Sequence, residues 1–233
     1  MWIFIAIAAV ALLAALLYWA LVVTEGVFLG RRVVVWLYDI TAHKYDRIKE
    51  YNPFAEEIFI IRPLRYRLRN IPAPRVLDVA TGTGRVLWFL LQEATFNGRV
   101  YGIDPSARML ALARQKLRPF KDRASLVQQT VTPLPFAANT FHAVTCLESL
   151  EFFPSDEAAL AEMERVLKPG GILLTTRRRG LEARLFLHRY RSEATFANML
   201  TRLGFANVEF QPWQVEYDLV FAQKRVNENN QEV

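Results

Sequence analysis

Apolar and polar positions divide the chain into three regimes. From Trp2 to Val23 the sequence WIFIAIAAVALLAALLYWALVV contains no charged side chain. As a helix this run extends about 33 Å at 1.5 Å per residue, enough to cross the hydrocarbon core of a bilayer. After Tyr51, short apolar runs alternate with amphipathic ones. The runs predict strands at Arg75–Ala80, Arg99–Asp104, Ser125–Gln129, Phe141–Leu147 and Ile172–Thr176. The amphipathic segments predict three helices. GRVLWFLLQEA is the first, and SARMLALARQKL begins at an N-capping Ser106 and ends before Pro119. SDEAALAEMERVL begins at Ser155, with Asp156 and Glu157 in its first turn, and stops at a turn, KPGG. Strands alternating with helices of this length imply a parallel sheet covered on both faces. The pattern then changes. SEATFANMLTRLGF reads as a helix closed by Gly204, and ANVEFQ and QVEYDLVFAQ, so closely joined, read as an antiparallel hairpin. The last regime, the polar tail VNENNQEV, has nothing to bury and is expected to be disordered. The expected boundaries are an anchor over 1–29, juxtamembrane or lid helices over 30–70, an α/β domain over 71–225 and the tail over 226–233.

The first apolar run has three readings. A cleaved signal peptide calls for a basic leading region, a shorter apolar core and a small-x-small cleavage site, and a buried core helix ordinarily shows a polar stripe. A single transmembrane anchor fits best. Arg31, Arg32, Lys44, Arg47 and Lys49 follow the run, so the positive-inside tendency places the rest of the chain in the cytoplasm. A second apolar patch, Val33–Tyr38, is too short to span and either lies along the membrane or caps the domain. The formal charge is +6, with arginines concentrated at Arg31–Arg32, Arg62–Arg69 and Arg177–Arg179. That balance suits an anionic membrane surface or an acidic substrate. No aromatic-plus-basic pattern of an RNA-binding module is present. The single cysteine, Cys146, excludes an internal disulfide framework and a multi-cysteine zinc site, and its apolar surroundings make it a core residue.

The candidate chemistry lies in RVLDVATGTGRV, where a strand runs into a glycine-bearing loop. A Walker-type phosphate loop requires Gly-Lys-Ser/Thr, and no lysine stands there. A dinucleotide fingerprint requires a third glycine, and Leu87 occupies that position after Gly82 and Gly84. Asp104, 20 residues beyond Gly84, suits a ribose in either kind of site. Asp78 discriminates between them: a carboxylate just inside the strand end repels a pyrophosphate and favours a cationic ligand.

VLDVATGTGRV, YGIDPSARML, LPFAANTFHAV and LKPGGILL, in this order and spacing, resemble the class I S-adenosylmethionine-dependent methyltransferases, in particular the branch that includes quinone-biosynthesis enzymes. The resemblance covers roughly Tyr38 to Lys224. It implies a Rossmann-like, doubly wound seven-stranded sheet with the last strand antiparallel, and S-adenosylmethionine as cofactor. Residue by residue, it implies that Asp78 helps to orient the methionine ammonium. Ala80, Thr81, Gly82 and Gly84 then form the loop against methionine and ribose, and Asp104 accepts both ribose hydroxyls. Pro105 and Met109 flank the adenine, and Leu147 and Glu148 lie beneath the methionine near the acceptor. Three positions depart from the family pattern. Ala80 replaces the first glycine of the loop. Thr130 stands where an acid often meets the adenine amino group, which leaves that role to the Thr130 hydroxyl and the Val131 backbone. His142 replaces a frequent acid, at the end of its strand away from ligands, and reads as structural.

No residue declares itself as a base. Glu148 is a candidate whose burial is expected to raise its pKa, and Tyr45, His43 and His188 are weaker ones, in a lid segment and in the segment after the fifth strand. The anchor, the basic segment RPLRYRLR and the cofactor motifs together lead to the expectation of a membrane-anchored cytoplasmic methyltransferase whose acceptor is a small lipophilic molecule, such as a quinone precursor, or a lipid. The rival readings are a non-catalytic membrane scaffold that keeps the fold and, more distantly, a dehydrogenase.

Overall fold

The computed structural model describes residues 1–49, 52–180, 182–187 and 189–226. His188, and the tail from residue 227 onward, lie outside the described residues. The chain begins with helix α1, Trp2–Tyr18, which continues in wider π geometry through Val23. No residue of α1 is buried, so it is not a core helix of the domain. A compact turn, with Gly26 and Gly30 at positive φ, leads into α2, Arg31–Lys49. The patch Val33–Tyr38 thus belongs to a helix that packs on the domain. A short α3, Pro53–Glu56, and α4, Arg62–Leu68, are joined by a π-type turn, Glu57–Ile61. Pro63 has no N–H to bond back along the helix, and the widened turn just before it relieves the clash its ring would cause.

Seven strands follow: β1 Arg75–Val79, β2 Arg99–Asp104, β3 Ala124–Gln128, β4 Phe141–Cys146, β5 Leu167–Arg178, β6 Phe205–Pro212 and β7 Tyr217–Lys224. They form one sheet in the order β3-β2-β1-β4-β5-β7-β6. All neighbouring pairs from β3 through β5 are parallel, and β7 runs antiparallel to both β5 and β6. The helices between strands are α5 Arg85–Gln92, α6 Ala107–Lys116, α7 Asp156–Val166 and α8 Glu193–Arg202. Ser106, Ser155 and Ser192 cap the last three, each hydroxyl accepting a first-turn amide. Side chains alternate across the sheet. Leu77, Val79 and Val144 face a core closed by Leu160, Met163, Phe196 and Leu200, and Val76, Ala143 and Leu174 face a second core with Ile60, Leu64, Leu87 and Leu90.

KPGG is not the turn its glycines suggest. Phe141 pairs with Leu167 and Ala143 with Ile172, so these four residues form an irregularity at the start of β5, with Gly170 at positive φ.

The chain winds from β1 outward to β3 and then returns to place β4 on the other side of β1. The strand order therefore reverses between β1 and β4, and a crevice opens there at the carboxyl ends of the strands. RPLRYRLR lies at the other end of the sheet. It leads into the amino end of β1, its groove is bordered by Pro72, Pro74 and Asn97, and Arg65 and Arg67 are paired with Glu93 and Glu209.

Candidate active site

The crevice at the reversal point is a cleft of about 850 Å³ counted to its open mouth. Its floor is built by three strand ends. After β1 the chain turns sharply: Ala80, Gly82 and Gly84 all take positive φ, at 55°, 53° and 76°. For Ala80 this costs roughly 1–2 kcal/mol, strain held at the position where glycine is the usual choice. Gly84 begins α5 so close to the next helix that a Cβ there would lie 3.2 Å from Ala113 Cβ. The Asp78 carboxylate is buried and accepts hydrogen bonds from Thr81 Oγ1 at 2.7 Å and Thr145 Oγ1 at 2.5 Å. Burial pushes its pKa up, against the pull of these hydroxyls.

Asp104 ends β2. One of its carboxylate oxygens accepts from the Gly82 amide at 2.9 Å and the other from the Ser106 amide at 2.8 Å. Each oxygen keeps a further lone pair, so a vicinal diol can donate to both without displacing either amide. Burial, aided by the nearby Asp78 and Asp39 charges, raises its pKa to about 6 despite those amides. Donors from a ribose complete what two backbone amides alone leave undersupplied. The residues present fit the adenosine portion of S-adenosylmethionine on this observation.

Pro105, Thr130, Val131 and Leu147 line the same cleft. Thr81 and Asp78 instead line a small adjoining hollow beside Thr83, Arg85 and Glu148. Met109 is a correction. It is 1% exposed, lies in the core outside the lining, and its amide serves the Ser106 cap. Gln129 also lines the cleft, and its side chain accepts from the Thr130 amide at 2.9 Å.

Helix α2 covers the cleft. Tyr38 and Tyr45 line it, with rings 5.8 Å apart, and Tyr45 also borders the adjoining hollow. Asp39 on this helix accepts from Ser106 Oγ at 2.5 Å, and Asp46 accepts from Thr83 Oγ1 at 2.6 Å and Lys116 at 2.7 Å. His43, on the same helix, is exposed and outside the lining.

Glu148 follows β4 at a φ of 53° and lines both the cleft and the hollow. Its carboxylate meets Lys49 Nζ at 2.8 Å and Arg85 at 3.0 Å, and Arg85 also holds Glu56 at 2.6 Å. Burial pushes the Glu148 pKa up, but Arg85 and Lys49 outweigh it and leave the group below the ordinary carboxylate range. The expectation of a raised pKa is corrected: two cations hold Glu148 ionised and make it a weak base. His142 sits at the opposite end of the sheet, with Nδ1 accepting from the Arg75 amide at 3.0 Å and Nε2 3.1 Å from Lys168 Nζ.

A second cavity adjoins the turn after β4. Phe28, Leu150 and Leu187 supply apolar walls, and Glu151, Arg177 and Arg178 polar ones. Of the four arginines in its lining, Arg177 is paired with Asp218 and Glu193, Arg178 with Glu151 and Glu216, and Arg191 with Asp156, while Arg189 donates to the Phe153 carbonyl. The cavity therefore presents N–H groups with their charge largely neutralised, an environment for oxygens on an apolar body.

Residues 76–171 match the family model of the methyltransferase domain. The chain is 31% identical over 209 residues to a demethylmenaquinone methyltransferase of Lactiplantibacillus plantarum, covering 75% of this chain and 88% of that one. It is 35% identical over 144 residues to a ubiquinone/menaquinone biosynthesis C-methyltransferase of Syntrophotalea carbinolica, covering 59% of this chain and 58% of the relative. In that second comparison the match thus spans little more than half of the relative's length. Among solved structures, magnesium protoporphyrin IX methyltransferase of Synechocystis PCC 6803 with bound S-adenosylmethionine superimposes with a TM-score of 0.64, at 17% identity, over 83% of this chain and 96% of that one. The sheet order and the cleft at its reversal point are those of a class I methyltransferase. The chain belongs to that family of S-adenosylmethionine-dependent enzymes, in its quinone-biosynthesis branch. S-adenosylmethionine is its cofactor, and the non-catalytic scaffold and the dehydrogenase are set aside.

Proposed function

We propose that the enzyme is anchored in a membrane by Trp2–Val23, with its catalytic domain on the cytoplasmic side, and methylates a small lipophilic acceptor of the quinone-precursor kind. One observation carries this reading. Trp19, near the end of the apolar helix, stacks on Phe28 with ring centroids 5.1 Å apart, and Phe28 is a wall of the cavity beside the cofactor cleft. A molecule leaving the bilayer at that helix meets the cavity at once. The apolar walls suit a hydrocarbon body and the charge-neutralised guanidinium groups suit carbonyl or hydroxyl oxygens. The named activities of the two relatives, both quinone methylation, agree with such an acceptor.

In this reading Asp104 holds the ribose, and the adenine lies between Pro105, Thr130 and Val131. Asp78 and Glu148 face the positive end of the cofactor. When bound, S-adenosylmethionine would supply a methyl group already activated on a sulfonium. Tyr38 and Tyr45 exclude water over the cleft, and α2 holds the two compartments in register, so alignment and desolvation are the protein's main contribution. Glu148 serves as a fixed negative charge.

The test is transfer of labelled methyl from S-adenosylmethionine to an organic extract of membranes incubated with the full chain. Label is expected in a lipid-soluble product, and Asp104→Ala should abolish it. Label confined to water-soluble products would remove the lipophilic acceptor from the reading.

A further inference from the structure

Helix α2 carries two apolar faces, and the domain uses only one. Val34 and Ala42 are buried and Tyr38 and Tyr45 line the cleft, so this face closes the cofactor site. Asp39 and Asp46 fix it there through Ser106, Thr83 and Lys116. A second stripe runs through Arg32, Trp36 and Ile40 at four-residue spacing, with Leu29 just ahead of the helix beyond Gly30. It faces outward: Leu29 is 48%, Trp36 57% and Ile40 40% exposed. Arg32, Lys44 and Arg47 are exposed on the same helix, whereas Arg31 borders the cleft. Nothing in the domain accounts for an exposed tryptophan and isoleucine flanked by cations.

We propose that α2 is an interfacial helix whose outer stripe rests on the anionic surface of the bilayer that Trp2–Val23 enters, while its inner face closes the cofactor cleft. The inference rests on the anchoring reading above and adds a second, separate contact. Continuity supports it. Six residues lead from Val23 to Leu29, at most about 20 Å even if fully extended. The connection is instead a compact turn in which Phe28 folds back on Trp19. The stripe therefore begins at the membrane surface. Chemistry supports it as well: apolar anchors enter the headgroup region and neighbouring arginines and lysines meet lipid phosphates. A second copy of the chain fits less well, because a twofold contact would set these cations against their own equivalents. Bilayer contact and closure over the cofactor thus share one rigid element.

Single-site labelling of the full chain tests this. Cys146 is fully buried and its thiol pKa is pushed up by burial, so introduced cysteines take the label. Trp36→Cys and Ile40→Cys, with Asn97→Cys at the amino-terminal edge of the sheet as control, are coupled to nitrobenzoxadiazole. They are then reconstituted in phosphatidylcholine–phosphatidylglycerol vesicles. S-adenosylmethionine affinity equal to the parent chain shows that each variant is folded. Labels at 36 and 40 are expected to be quenched several-fold more than label 97 by a nitroxide on the lipid, and to be protected from aqueous iodide. Quenching by iodide but not by the nitroxide makes the stripe a solvated face and overturns the proposal. Protection from both means that protein, such as a second copy, covers it, with the same consequence. Sedimentation separates this from the anchoring reading. A chain that fails to travel with vesicles loses both proposals, whereas one that travels with them while labels 36 and 40 stay unquenched loses only this one.

Discussion

A single carboxylate decides much of the cofactor chemistry. Asp104 in the cofactor-free chain keeps its proton up to about pH 6, whereas its ordinary value is 3.8. Between these values the folded state binds more protons than the unfolded one, so stability falls as pH rises through that window. Above it the cost is on the order of 3 kcal/mol. Ribose hydroxyls donate to the ionised form and reverse the preference, so binding expels a proton below pH 6. Affinity for S-adenosylmethionine should therefore weaken as pH falls below 6, by up to about tenfold per unit. Calorimetry at pH 5 and pH 7.5 measures this. Asp104→Asn should flatten the dependence and weaken binding at least tenfold, since a hydrogen bond to a charged acceptor contributes about 1.5–3 kcal/mol. An unchanged slope in Asp104→Asn would assign the titration elsewhere.

Among the elements, α3, α5 and the turn after β4 meet through one side chain. Arg85 is 8% exposed and bonds both Glu56 and Glu148. Replacing it by methionine leaves two buried carboxylates near each other, and loss of one partner of a buried pair costs about 3–5 kcal/mol. Both carboxylates then gain protons more readily, so the loss in Arg85→Met should be greatest above neutral pH and smaller near pH 5. Melting curves at the two pH values show the difference, and an equal loss at both would mean that Arg85 acts by packing alone. This network was hidden in the sequence because its members are far apart: Glu56 lies 29 and Glu148 63 positions from Arg85. The signal was a charged residue opening an otherwise apolar helix, GRVLWFLL. The strands were legible because each is a short apolar run between turn residues, Gly82 and Gly84 because the loop needs positive φ there, and Asp78 and Asp104 because each puts a carboxylate in an apolar run. KPGG misled because Pro-Gly-Gly marks an irregularity at a strand's start as well as a turn. Met109 misled because spacing places a residue on a helix without saying which face meets the ligand, and Gln129 was masked by its neighbour Thr130.

At the scale of the whole molecule, an apolar helix with no buried residue is joined to a domain with two closed cores. It meets the rest of the chain at its carboxyl end, where Trp19 stacks on Phe28 and the Thr24 hydroxyl donates to the carbonyls of Trp19 and Ala20. A chain starting at Thr24 should keep the fold and its affinity for S-adenosylmethionine. Activity should then depend on where the acceptor is. Anchoring holds the site at a high effective concentration of any bilayer-resident acceptor, an advantage that reaches about 10²–10⁴-fold for linked systems. The shortened chain should lose most of its rate with a long-chain quinone precursor embedded in vesicles and little with a short-chain, water-soluble analogue of the same head group. Rates on both acceptors, measured for both chains, decide the matter. An equal loss on the two acceptors would make the helix part of the site itself, because an anchor that only brings enzyme and acceptor together cannot slow the reaction with a molecule already in solution.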